Sequence, residues 1–173
     1  MNLQKRVRQL LSDPPVAPTA AALEQIQKLH PKRAPLSQQA AVNNCQMYPL
    51  PFQPEEVATA IRSFRKASGA GFSRMRPAIL QELLGSTKAS QLLEVLAALT
   101  HRMACGQLPQ WMAPLLTGAL LVALRKPDGN CRPIACGDIL RRLTSKILLT
   151  RVQPHMSKQL APLQVGFGYT CGC

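Results

Sequence analysis

The strongest local constraint on this chain is the stretch Pro127-Asp128-Gly129-Asn130, set between two short apolar runs. Proline presets φ, aspartate bonds its own backbone two residues on, and glycine takes left-handed conformations without a Cβ penalty. Such a stretch reverses the chain. The run before it, "TGALLVALRK" (117–126), is aliphatic and of strand length; the run after it, "CRPIA" (131–135), reads as a second short strand. Pro133 marks that second strand as an edge or as a place where pairing stops. The chain therefore contains a β-hairpin. A lone hairpin is marginal in water, so helices must supply the core.

Helical periodicity is clear on both sides of the hairpin. Pro54 with Glu55 and Glu56 suits a helix first turn, and Val57, Ile61 and Phe64 recur on one face. Gly69 and Gly71 are expected to end that helix. A second helix is expected from Pro77 to Leu84. A third, Ala89 to Cys105, carries the stripe Leu92, Leu96, Leu99 and Met103. After the hairpin, Asp138 has the character of an N-cap for a helix through Val152, with Ile139, Leu143, Ile147 and Thr150 on the packed face. Hydrophobic residues make up 46% of the 173 but aromatics only 4%, so the core is expected to be aliphatic. Residues 12–54 are rich in Pro, Ala and Gln, and a short helix fits around Ala20 to Leu29. Residues 1–53 otherwise read as a linker or tail, largely disordered. No internal repeat is visible. The fold class is α+β: mostly helical, with one hairpin.

The charge is one-sided. Lys and Arg number 21 against 8 Asp and Glu, a net +13 with a pI near 10.2. A field of that sign attracts polyanions, so nucleic acid is the first partner expected, ahead of a membrane surface. No apolar run approaches the ~18 residues of a membrane span. The opening "MNLQKRVRQLL" puts Leu3, Val7, Leu10 and Leu11 on one helical face, which fits a transit peptide and a surface helix equally well. Six cysteines (45, 105, 131, 136, 171, 173) lie in apolar context with no CxxC pair and no secretory signal. They read as reduced, small buried thiols in an intracellular protein, nuclear or cytoplasmic, and they give little support to a zinc site.

The hairpin concentrates cations. With a four-residue loop, Arg125 lies opposite Arg132; with a three-residue loop, Arg132 faces Leu124 and sits diagonal to Lys126 on the same face. Like charges opposed across strands are destabilising. An anion between them reverses that cost, with Arg offering a planar fork and Lys a point charge to phosphate oxygens. On the following helix Arg142 and Lys146 are i, i+4 neighbours with no acid between them. Residues 125–158 hold eight basic side chains (125, 126, 132, 141, 142, 146, 151, 158) against Asp128 and Asp138. A second group, Arg62, Arg65, Lys66, Arg74 and Arg76, brackets "SGAGFS" without any acid. Its glycines fit either a backbone approach to phosphate or a plain helix C-cap with a loop.

These residues form an ordered set. "FRKASGAGFSRMRPAIL", "LPQWM", "LLVALRKPDGNCRPIACGDILRRLTSKILLTRV" and "QVGFG" resemble, in order and rough spacing, the fingers region of reverse transcriptases of the non-LTR-retrotransposon type. The Lys-Pro-Asp-Gly turn followed by Arg-Pro-Ile is the most specific element, and the resemblance covers about residues 54–168. It implies an incomplete fingers subdomain, with Lys126 and Arg132 gripping an incoming nucleotide's triphosphate and Arg125 as a substitute for Lys126. It further implies template contact by Gly69, Gly71, Arg74, Arg76, Arg142 and Lys146, and a nucleotide pocket shaped by Gln164, Gly166 and Phe167.

One departure from the family carries chemical weight. Polymerase chemistry uses paired palm aspartates to hold two metal ions, Mg²⁺ in such enzymes. The acids here are Asp13, Glu24, Glu55, Glu56, Glu82, Glu94, Asp128 and Asp138; none follows Gln164, and no Tyr-x-Asp-Asp occurs. The expectation is a truncated, catalytically inactive fragment with no catalytic residue, no metal site and no cofactor of its own. Its palm and thumb lie outside the chain, and nucleic acid is its partner. The competing expectations are a basic RNA- or DNA-binding module without enzymatic role, and an interaction protein docking through helices 55–105.

Overall fold

The computed structural model describes residues 17, 19–29, 49–65, 67–128 and 130–160. The described residues form six α-helices, one 3₁₀ turn and a two-stranded antiparallel sheet, an α+β arrangement. They divide into two compact units, one built on Gln46–Gly118 with Gly137–Cys173, the other on Met1–Cys45 with Ala119–Cys136.

In the second of these units, α1 (Ala20–Leu29) takes the place given to a short helix by its sequence. Thr19 caps it, its hydroxyl accepting from the Ala22 N–H at 3.2 Å. The rest of the segment read as a linker, apart from residues 17, 19 and 49–53, lies outside the described residues. The hairpin pairs β1 (Ala119–Arg125) with β2 (Cys131–Gly137). The Lys126 N–H donates to the Asn130 carbonyl at 2.7 Å, leaving three residues in the loop. Two strands of equal length then run in one register, with Arg125 beside Cys131 and Leu124 beside Arg132. In the alternating ladder that starts at Lys126 and Asn130, residue 133 falls at a non-hydrogen-bonded position. Its ring nitrogen faces outward, so the hairpin accepts a proline at mid-strand without losing a bond.

The larger unit is helical: α2 (Pro54–Arg62), α3 (Pro77–Leu83), α4 (Ala89–Ala104), a 3₁₀ turn at Gln110–Met112, α5 (Ala113–Thr117) and α6 (Ile139–Leu160). Helices α2, α4 and α6 pack on one another around Phe52, Val57, Ile61, Phe64, Leu80, Leu96, Ile139, Leu143 and Ile147. This is the aliphatic core expected, and each fully buried side chain of this size contributes about 1.5–3 kcal/mol. Two buried hydroxyls inside it are satisfied on their own helices. Thr100 donates to the Leu96 carbonyl at 2.6 Å and Thr144 to the Leu140 carbonyl at 2.9 Å.

The helix ends depart from expectation in two places, at α2 and at α6. Helix α2 stops at Arg62, well before Gly69. Its terminal carbonyls are taken by side chains, one distant and one local, instead of by a glycine cap. The Gln81 amide donates to the Ile61 and Phe64 carbonyls at 3.1 and 2.8 Å, and the Ser63 hydroxyl to Ala60 at 2.7 Å. Helix α4 ends in a Schellman motif at Gly106, φ 66°, with Gly106 N–H bonded to Met103 and Gln107 N–H to Arg102. Helix α6 runs to Leu160 through Pro154 instead of stopping near Val152. Proline there removes the donor for the Thr150 carbonyl, and that turn of the helix is exposed, so water can serve it. Thr150 itself is exposed, not packed; the inward position on that turn belongs to Arg151.

Candidate nucleic-acid interface

On the hairpin, Asp128 builds the turn. Its carboxylate accepts from the Asn130 N–H at 3.0 Å and from the Asn130 side-chain amide at 3.2 Å. These two bonds, and more weakly the Lys126 charge, hold its pKa below the ordinary carboxylate value. The three-residue register decides between the two arrangements the sequence left open. Lys126 and Arg132 share one face, diagonal to each other, whereas Arg125 projects from the other face beside the buried Cys131. Arg125 and Arg132 are exposed and Lys126 half-buried, and none of the three forms an ion pair or a side-chain hydrogen bond with another described residue.

In the helical unit, the cations divide into two sorts. Four of those on α6, Arg141, Arg142, Lys146 and Arg151, are engaged. Arg142 donates to the Gly69 carbonyl at 2.8 Å and lies 5.2 Å from the centre of the Phe64 ring. Lys146, one turn on, stands 4.9 Å from the same ring and donates to the Ser63 hydroxyl at 3.0 Å. Both cations therefore meet the carbonyl-rich C-terminal end of α2, where positive charge is stabilised. Arg141 donates to the Thr117 carbonyl at 3.0 Å. Arg151 forks onto both Glu56 oxygens at 2.7 and 2.6 Å, donates to the Leu50 and Pro51 carbonyls, and covers the Phe52 ring at 4.7 Å. That pairing lowers the Glu56 pKa and raises that of Arg151. Nothing in the local sequence signals it, because the partners are 95 residues apart.

The cations around residues 62–76 are free by comparison. Arg62, Arg65, Arg74 and Arg76 are all exposed, and none is in an ion pair among the described residues. The loop carrying Arg74 and Arg76 is fastened at alternate residues to the start of α6. Gly71 lies so close to the Asp138 backbone that an added Cβ would stand 2.5 Å from its Cα. The next alternate residue, Ser73, gives its N–H to the Asp138 carboxylate at 3.1 Å, while the same carboxylate caps α6 through the Leu140 N–H at 3.1 Å. Burial works to raise the Asp138 pKa, but the bonds from Ser73 and Leu140 and the Arg141 charge prevail, and it lies below the ordinary value. Asp138 is the expected N-cap; its second task, holding the glycine loop, had no signal in the sequence. Arg74 adopts a left-handed φ of 62° within this loop. Gln164, Gly166 and Phe167 lie outside the described residues.

Three of the acids are engaged in structure. Asp128 is occupied by its turn, Asp138 by two backbone donors and Glu56 by a guanidinium. No cluster of three metal-ligating side chains occurs among the described residues, and none of their helices is long and apolar enough to cross a membrane. No family model, curated protein or solved structure matches this chain.

Proposed function

We propose that this chain is a fingers-type, phosphate-gripping part of a reverse transcriptase of the non-LTR-retrotransposon kind, which binds nucleic acid and nucleoside triphosphate without itself polymerising. The observation that carries this reading is the placement of Lys126 and Arg132 on one face of the hairpin, beside the turn and with no carboxylate partner among the described residues. Two cations on one face repel, and a polyphosphate between them turns that repulsion into charge-assisted hydrogen bonds. Arg125, on the opposite face beside Cys131, serves a phosphate elsewhere on the strand and does not replace Lys126. Asp128, Asp138 and Glu56 are engaged in structure, so the chemistry that needs paired aspartates and Mg²⁺ is assigned to a palm outside these residues.

A second reading, a basic nucleic-acid module with no polymerase role, is favoured by the exposed Arg62, Arg65, Arg74 and Arg76, which need no hairpin to attract a polyanion. Titration with a deoxynucleoside triphosphate separates the two. Replacing Lys126 and Arg132 together by Ala is expected to weaken triphosphate binding more than about a hundredfold, at about 1.5–3 kcal/mol for each of two charged hydrogen bonds. Replacing the exposed Lys88 and Arg102 is expected to change it little. Equal losses in the two double variants would leave the hairpin as ordinary surface charge. Incubation with primer, template and Mg²⁺ is expected to give no extension, and elongation by the purified chain would refute the inactive assignment.

A further inference from the structure

We propose that the cavity between α5 and α6 is a binding site for a small carboxylate with a hydrocarbon tail, with Arg141 holding the charge and the apolar walls holding the tail. This goes beyond the nucleic-acid reading and does not depend on it; neither Lys126 nor Arg132 enters.

The cavity has a volume of about 280 Å³ and lies within the helical unit. The end of α4 and the turn after it contribute Met103, Leu108 and Pro109, and α5 contributes Ala113 and Leu116. These walls are apolar. The polar side is α6, where Arg141 and Ser145 stand one turn apart on one face. Two other hydroxyls of the lining are spent on their own helices, Thr117 on the Ala113 carbonyl at 2.7 Å and Thr144 on the Leu140 carbonyl.

A glycine seats the arginine. Gly137 is buried, and the three atoms that a Cβ on it would meet first all belong to the Arg141 side chain, with which it would collide. The bare Cα makes room for the guanidinium, and the bond to the Thr117 carbonyl at 3.0 Å fixes it. A charge held in this way loses little freedom when a ligand arrives. It reaches Asp138, but that carboxylate is taken by the Ser73 and Leu140 N–H groups, and no ion pair joins the two side chains. No acid is among the described residues that line the cavity.

A cation beside apolar walls fits a ligand divided in the same way. Inorganic phosphate has nothing to cover the walls, and a neutral hydrocarbon leaves the guanidinium unused. A planar carboxylate matches the guanidinium fork. The volume is near the lower end of ligand-pocket sizes, so the tail is a short one.

The test titrates the full chain with butyrate, hexanoate and octanoate, and with octylammonium as the cationic counterpart. The emission of Trp111, the chain's one tryptophan, reports binding from the turn that leads into Ala113, and amide shifts of Gly106, Leu108 and Thr117 locate it. Affinity is expected to rise about fourfold per methylene, the transfer free energy of a CH₂ group, and octylammonium should not compete. Arg141→Met keeps an apolar stem without the charge and should lower octanoate affinity about tenfold. Gly137→Ala retains the arginine but displaces its guanidinium, and should weaken binding by a similar factor. Arg62→Met removes an exposed arginine on α2 and should leave affinity unchanged. Melting temperatures should show that the variants fold, and the chain-length series on the parent stands without them. Absence of saturable octanoate binding, equal affinity along the series, equal binding of octylammonium, or equal losses for Arg62→Met and Arg141→Met would each overturn the site. None of these results touches triphosphate binding by Lys126 and Arg132, which its own titration decides.

Discussion

Replacing Gly71 by alanine should prise the glycine loop from the start of α6. An added Cβ would stand 2.5 Å from Asp138 Cα, 2.6 Å from its nitrogen and 2.7 Å from the Gly137 carbonyl carbon. All three are backbone atoms, so no side chain can swing aside. Overpacking of this sort costs about 1–3 kcal/mol. The displaced loop would also lengthen the Ser73–Asp138 bond, a charged hydrogen bond of about 1.5–3 kcal/mol, part of which water recovers. A net loss of about 3 kcal/mol follows, and at about 2–4 °C per kcal/mol for a chain of this size the melting temperature should fall by roughly 10 °C. Far-UV circular dichroism with temperature, supported by urea denaturation, measures it. The same substitution made on an Asp138→Asn background should cost clearly less, because both changes act at one junction. A fall below about 2 °C, or strict additivity with Asp138→Asn, would refute the claim that this backbone contact holds the loop.

Three further outcomes are expected. Arg151→Ala should cost about 2–3 kcal/mol, from a half-buried forked ion pair and the Phe52 contact, with some loss offset by hydration of the Leu50 and Pro51 carbonyls; Arg151→Lys should restore less than half in the same denaturation assay, because a point charge cannot fork. Glu56 and Asp138 have folded pKa values below their unfolded 4.5 and 3.8, so their contribution is present above those values and is lost as pH falls through the lower folded ones. Stability should therefore be flat above about pH 5 and decline below about pH 4, and Glu56→Gln or Asp138→Asn should flatten that decline in acid titrations followed by fluorescence or dichroism. Arg142→Ala with Lys146→Ala should lower the melting temperature by removing two cation–π contacts with Phe64, yet leave the salt slope of nucleic-acid binding unaltered, because both cations already serve α2.

Wherever a feature depends on neighbours along the chain, sequence was enough to find it. The turn at Pro127–Asn130, the Asp138 cap and the inward faces of α2 and α6 all follow from periods and turn chemistry a few residues long. What escaped depends on distant contacts. Helix α2 stops early because Gln81, nineteen residues past its last residue, takes its carbonyls. The basic run on α6 looked uniform, but Arg142, Lys146 and Arg151 are each spoken for by a residue in the 50s or 60s, whereas Arg125, Lys126 and Arg132 form no such bond with the described residues. Composition cannot sort an occupied arginine from a free one. The hairpin shows the boundary between the two cases: residue types specified a reversal, yet a single backbone bond, Lys126 to Asn130, decides which cations stand together.

The outward ring nitrogen of Pro133 makes the hairpin's two flanks unequal. Along β2 the outer row of amide donors has a gap at its middle, while β1, from Ala119 to Arg125, keeps an unbroken row. Growth of a cross-β ribbon requires each unit to be joined on both sides. A hairpin whose β2 flank is interrupted at its middle accepts a neighbour more readily on β1 than on β2, so crowding favours short pairs over long fibres.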